Sequence, residues 1–190
     1  MRVRIDGRGP VAAGFAAALA ARGHEVVDDE HYEAVVFAPW DPAVMVPIAM
    51  ADLTDDDFDL AWQRTMDAAV DCCVRARAAF AGAGGSIVLT TPTTGLAGGD
   101  HYAHWAAAAE GVHILAKSTA RQWGTEGIGV NVLAFSPALA LADATVAGPV
   151  SIATPALPDA DAGPVLEFLC SPAARNLGGQ LLTVDGGLWM

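Results

Sequence analysis

The sequence predicts an α/β domain: a doubly wound, mostly parallel sheet flanked by helices. Strand-length apolar runs alternate with helical stripes along the chain, the pattern of a sheet whose strands are joined by crossovers. Of the 190 residues, 53% are hydrophobic, enough to bury one core. No internal repeat breaks this order, so residues 1–190 read as a single domain.

Arg2 to Ile5 alternate as a short first strand. Gly7-Arg8-Gly9-Pro10 leads into an Ala-rich helix from about Pro10 to Arg22, with proline in its first turn and Gly23 at its C-terminal cap. Glu25 to Val27 and Ala34 to Phe37 read as two further strands, separated by a gap too short for a helical crossover. Thr54, with Asp57 three residues later, opens a long helix to about Ala81, on which Phe58, Ala61, Trp62, Thr65, Ala69 and Cys72 follow a stripe. Ser86 to Thr91 has the pattern of a buried strand. A second long helix runs from about Tyr102 to Gly124 and carries Trp105, Val112, Leu115, Thr119 and Trp123 at helical spacing. Gly127 to Ala134 is the next strand, Pro137 to Pro158 a loop without clear period, Pro164 to Cys170 a short helix and Gln180 to Val184 the last strand.

Composition excludes several functions. The net charge is −12 and Lys117 is the single lysine, so there is no basic stripe for nucleic acid. No apolar run reaches the roughly 18 to 20 residues of a membrane span. Near the start, Asp6, Gly7, Gly9 and Pro10 interrupt what would otherwise read as a signal peptide. Cys72, Cys73 and Cys170 are an odd number, two of them adjacent, which fits reduced thiols and a cytoplasmic location. Asp100, His101 and His104 open the second long helix with an H-x-x-H spacing. No third ligand is in view, so no metal is expected.

From Gly84 onward the order of segments resembles the short-chain dehydrogenase/reductase family. Phe168 to Gly187, FLCSPAARNLGGQLLTVDGG, is similar to that family's closing helix, loop and strand. GIGVNVLAFSP resembles its penultimate strand, with Asn131 in the usual place, and GSIVLTTPTTG, Gly85 to Gly95, resembles the strand ending in the catalytic serine. The resemblance implies a Rossmann-like sheet. It also implies that the family's edge strand and its flanking helices are missing between the second strand and VVFAPW, and that the region after Pro137 is short.

The same resemblance implies that the catalytic set is replaced. Anchored on Gly111 and Val112, the tyrosine position holds Trp105, the lysine position Ala109, the serine position Pro92 and the asparagine position Thr65. Neither Tyr32 nor Tyr102 is followed four residues later by Lys117, and neither tryptophan nor proline can relay a proton. Gly7 and Gly9 with Ala12 keep a loose Gly-x-Gly-x-x-Ala pattern, and Asp28 lies near the distance expected of a ribose-binding acid. Against these weak candidates for NAD(P) stand Pro10, which removes an amide donor, Asp6, which adds negative charge, and Trp40, which would intrude on the cleft. No cofactor is therefore expected.

These features point to a non-catalytic subunit that assembles with an active homologous subunit, or with itself, and supports its activity. Phe58, Trp62, Trp105, Val112 and Trp123 are the candidate interface core, joined by Trp189 and Met190 of the apolar tail. Two other classes stay open. One is an enzyme with repurposed, non-redox chemistry on Asp100, His101, Tyr102 or His104; the other is a regulatory module that holds a nucleotide or acyl group.

Overall fold

β1 (Arg2–Asp6), β2 (Glu25–Val27), β3 (Ala34–Phe37), β4 (Gly85–Pro92), β5 (Ile128–Phe135) and β6 (Leu181–Val184) pair in the order β2-β1-β3-β4-β5-β6, every pair parallel. This is the arrangement in a computed structural model, which describes residues 1–141 and 161–187. β3, β4 and β5 are buried along their whole length, as central parallel strands covered on both faces must be.

Alternate strand residues serve opposite faces. Val3, Val36, Val88 and Leu133 face α1 (Pro10–Ala20) and α6 (Gly163–Cys170), where Phe15, Leu19, Leu166 and Leu169 complete one core cluster. Val35, Ile87, Leu89, Val130 and Val132 face the long helices on the other side. There the chain forms α2 (Asp55–Trp62), a π-helical turn (Gln63–Asp67) and α3 (Ala68–Phe80), followed after β4 by the short α4 (Thr94–Ala97) and by α5 (Ala103–Trp123). Cys72, Ala76 and Phe80 of α3 and Val112 and Ala116 of α5 complete that cluster.

β2 is the last strand on its side of the sheet among the described residues, and the chain returns over β1 to β3 through residues 28–33 without a helix. Two arginines of β1 hold this short crossover. Arg2 pairs with Asp29 at 2.6 Å while its backbone amide donates to Glu33, and Arg4 donates to the Asp28 carbonyl at 2.8 Å. On the far side, Asn131 donates to the Ala174 carbonyl and accepts from the Gln180 amide, which ties β5 to the loop entering β6.

Three expectations change. The single helix from Thr54 to Ala81 is split by the π turn, within which the Thr65 hydroxyl bonds the Ala61 carbonyl, a local geometry that hydrophobic spacing does not encode. Pro137–Leu139 forms a short 3₁₀ turn, and the rest of the expected loop lies outside the described residues. Trp105, Val112 and Trp123, expected at an interface, are buried inside the subunit's own core, with Arg77 covering the Trp123 ring at 5.4 Å. They face the core, so the inward stripe of α5 is spent within the fold. Phe58 and Trp62 remain exposed, at 43% and 50%, and Trp189 and Met190 lie outside the described residues.

Candidate functional site

In open parallel sheets, ligands bind in the crevice at the carboxyl ends of the strands. Here that crevice is bounded by the loop after β1, the segment leaving β3, and the ends of β4 and β5. The Gly7 backbone lies directly against the Ala38 carbonyl; a Cβ at Gly7 would come within 1.9 Å of that oxygen. Gly9, at φ 93°, caps α1 without a side-chain hydrogen bond, and Pro10 follows. The Asp41 carboxyl stands 3.1 Å from where a Gly9 Cβ would be. A chain-borne carboxylate therefore sits beside the helix N-terminus, where free amides and the helix dipole favour an anion.

Asp6, the other acid of the loop, is neutralised by Arg75, which bridges Asp6 and Asp71 at 2.8 Å each. Asp28 sits past β2 with an exposed side chain, and it is its carbonyl that Arg4 holds.

Part of the crevice is packed with side chains. Trp40, 1% exposed, donates from Nε1 to the carbonyl and to the hydroxyl of Thr90, at 2.7 and 3.1 Å, and that hydroxyl donates in turn to the Phe37 carbonyl. Met45, Tyr102, Trp105, Ala109, Phe135 and Leu141 are buried in the same cluster as Trp40, Val11 and Phe15. The crevice is thus continuous with the hydrophobic core.

The positions implied for catalysis can be placed on the fold. Pro92 ends β4 in register with Phe135, Trp105 and Ala109 are buried on α5, and the Thr65 hydroxyl is satisfied within its own helical turn.

Asp100, His101, Tyr102 and His104, the residues of the alternative reading, are spread between surface and core. His101 adopts φ 63° and pairs with Asp100 at the surface, at 2.9 Å. His104, 3% exposed, turns inward between the rings of Phe58 and Trp105, 6.2 and 5.7 Å away, and Tyr102 is buried in the core. Burial holds the His104 pKa below its ordinary value, with Asp57 opposing the shift. The cysteines are equally unsuited to nucleophilic work: burial, with Asp6 adding to it, pushes the Cys73 thiol up to about 12, and burial, with Glu167 adding to it, does the same for Cys170. Among the described residues no group of three or more His, Cys, Asp or Glu is placed to hold a metal ion, and no helix is long and apolar enough to cross a membrane.

Sequence reasoning missed two buried polar atoms. His104 Nδ1 and Thr94 Oγ1 are two of five buried side-chain atoms without a hydrogen-bond partner among the described residues, the others being arginine Nε atoms. Spacing alone put His104 on an exposed helix start; the signal that could have placed it inside was Trp105 beside it and Phe58 at the start of the preceding long helix.

The family model described as enoyl-(acyl carrier protein) reductase matches residues 30–189. The chain belongs to the short-chain dehydrogenase/reductase family. The L-rhamnose 1-dehydrogenase (NAD(P)(+)) of Sphingomonas sp. (strain SKA58) is 34% identical over 119 residues, which are 57% of this chain and 46% of that protein. The match therefore spans about half the length of that curated relative. Among solved structures, the TT0495 protein of Thermus thermophilus superposes with a TM-score of 0.79 at 20% identity, over 98% of this chain and 97% of that one. A candidate NAD(P)-dependent gluconate 5-dehydrogenase from Beutenbergia cavernae, with NADP bound at low occupancy, gives 0.75 at 22% identity over 98% and 96%. These likenesses show the fold: a parallel Rossmann-like sheet between two layers of helices, in an oxidoreductase family.

Proposed function

We propose that this short-chain dehydrogenase/reductase chain is a non-catalytic subunit that assembles with an active homologous subunit and supports its activity. One observation carries the reading. The crevice in which the family's chemistry would take place is partly packed with Trp40, Met45, Tyr102 and Trp105 of the core, with Asp41 at the α1 N-terminus. Pro92, Trp105 and Ala109 offer no proton relay beside it.

What the chain leaves exposed suits association. Phe58, Trp62, Val70 and Val74 on the α2–α3 helical run and Ile114 on α5 are large apolar side chains open to solvent. Apolar side chains on helices are the usual material of an isologous contact. The names of the relatives, dehydrogenases using NAD(P), indicate the class of partner. Coexpression with a co-encoded short-chain dehydrogenase, followed by native mass measurement, should yield a complex containing both chains; a chain that stays monomeric beside every such partner would end this reading.

A second reading is favoured by one feature. A cavity of about 240 Å³ remains beside Gly7, with Arg8, Arg64 and Arg75 on its wall together with Asp6, Asp41 and Asp71. A chain that binds a nucleotide there without turning it over would bind NADPH stoichiometrically in calorimetry. The three carboxylates on that wall argue for no binding at micromolar concentration.

A further inference from the structure

A separate cleft shares no lining residue with the cavity beside Gly7. It opens between α5 and the loop entering β6, has a volume of about 420 Å³, and is lined by Ile114, Lys117, Ser118 and Arg121 from the helix, Ile114 being also on the face proposed for association, and by Gly178, Gly179 and Gln180 from the loop. No carboxylate lines it.

Lys117 and Arg121 bring two cations together in one cleft of a chain whose net charge is −12. Arg2, Arg22, Arg75 and Arg77 are each paired with carboxylates, as a net charge of −12 makes easy. Among the described residues Lys117 and Arg121, like Arg4, Arg8, Arg64 and Arg175, pair with none, and these two line the same cleft. They stand four residues apart on one helix, where two like charges repel, and a bound anion would turn that repulsion into attraction. The helix dipole accounts for Arg121 in the last turn but fades before Lys117, one turn earlier.

The loop is shaped to leave this cleft open. Gly179, at φ 75°, packs so closely on α5 that a Cβ there would stand 2.9 Å from the Lys117 Cα, and its amide is spent on the Val130 carbonyl at 2.7 Å. Gly178 also has positive φ, 48°, and exposes bare main chain beside the two cations.

We propose that the juxtaposition of Lys117 and Arg121 with Ser118 and the Gly178–Gly179 main chain forms a binding site for the phosphoryl group of a small phosphorylated ligand. The cations supply charge-assisted hydrogen bonds, the hydroxyl donates a third, and the absence of a side chain at Gly178 lets the ligand approach the loop. Long-range charge works against any anion on this chain, so binding must come from the local site.

The test is titration of the intact chain with pyrophosphate and with inorganic phosphate, against chloride at matched ionic strength, followed by calorimetry and thermal melting. Pyrophosphate should bind and raise the melting temperature while chloride does not. In Lys117→Gln/Arg121→Gln the affinity should fall at least about tenfold. Ser118→Asp, a single exposed change that sets a carboxylate in the cleft, should abolish binding with the fold intact by circular dichroism. No response to either phosphate, an equal response to chloride, or unchanged affinity in the folded variants would overturn the proposal.

Discussion

Trp40 and Thr90 are joined twice: the indole N–H donates to both the carbonyl and the hydroxyl of Thr90, and the pair locks the segment leaving β3 onto β4. The joint seals the crevice, because Trp40 is then held among Val11, Phe15, Tyr102 and Phe135. A tryptophan standing as a mobile lid over a ligand site would have no such bonds and more exposure.

Trp40→Ala should therefore behave as a core truncation. It should lower unfolding stability by about 3 to 5 kcal/mol, measured by urea denaturation with the slope unchanged. A loss under about 1 kcal/mol would show that Trp40 is not part of the core.

Rebuilding the catalytic set should fail. Pro92→Ser, Trp105→Tyr and Ala109→Lys together should give no NAD(P)H oxidation with ketones or acyl thioesters in a spectrophotometric assay, since they leave Trp40 in the core and Asp41 beside Gly9. Ala109→Lys alone should be strongly destabilising, because it drives an ammonium into a site that is 1% exposed. Turnover by the rebuilt chain would show that the crevice opens.

Stability should fall in mild acid because of His104. Its folded pKa lies below the ordinary 6.5, through burial, so the unfolded chain takes up a proton more readily than the folded one. The stability held at pH above about 6.5 is lost as pH falls through the lower, folded value. His104→Phe should remove that slope in pH-dependent melting. Since Nδ1 has no partner, the change should cost less than about 1 kcal/mol near neutral pH. A parallel pH profile in the variant would place the titrating group elsewhere.

Much of this molecule is legible in its sequence, and the illegible parts have physical causes. Every strand is found where alternation or an unbroken apolar run places it, because β3, β4 and β5 are buried on both faces and tolerate nothing polar beyond serine, threonine and asparagine. The short return from β2 to β3 is readable from chain length alone. Trp40 is readable as an obstacle in the cleft, though its bonds to Thr90 are not.

Periodicity is blind to what covers a face. Trp105, Val112 and Trp123 share a stripe whether that stripe meets the subunit's own core or a neighbour, and here it meets the core, Trp105 beside Trp40 and the other two against the sheet. The π turn at Gln63–Asp67 and the inward turn of His104 depend on tertiary packing between α2 and α5, which no local pattern records.

Trp62 offers a clean probe of assembly because its side chain is half exposed and contributes little to the core. Trp62→Arg should leave the chain's own stability within about 0.5 kcal/mol in urea denaturation. The same change should weaken association by about 2 kcal/mol or more in sedimentation, as expected of an aromatic anchor at an interface centre. Unaltered association would move the contact off the α2–α3 face.

The most direct measurement is the turnover of a co-encoded short-chain dehydrogenase titrated with this chain. A saturating rise in the partner's activity or in its half-life, abolished by Trp62→Arg while the chain alone oxidises no NAD(P)H, is the expected result. An activity of the partner that is indifferent to the chain, together with NAD(P)H-dependent turnover by the chain itself, would contradict it.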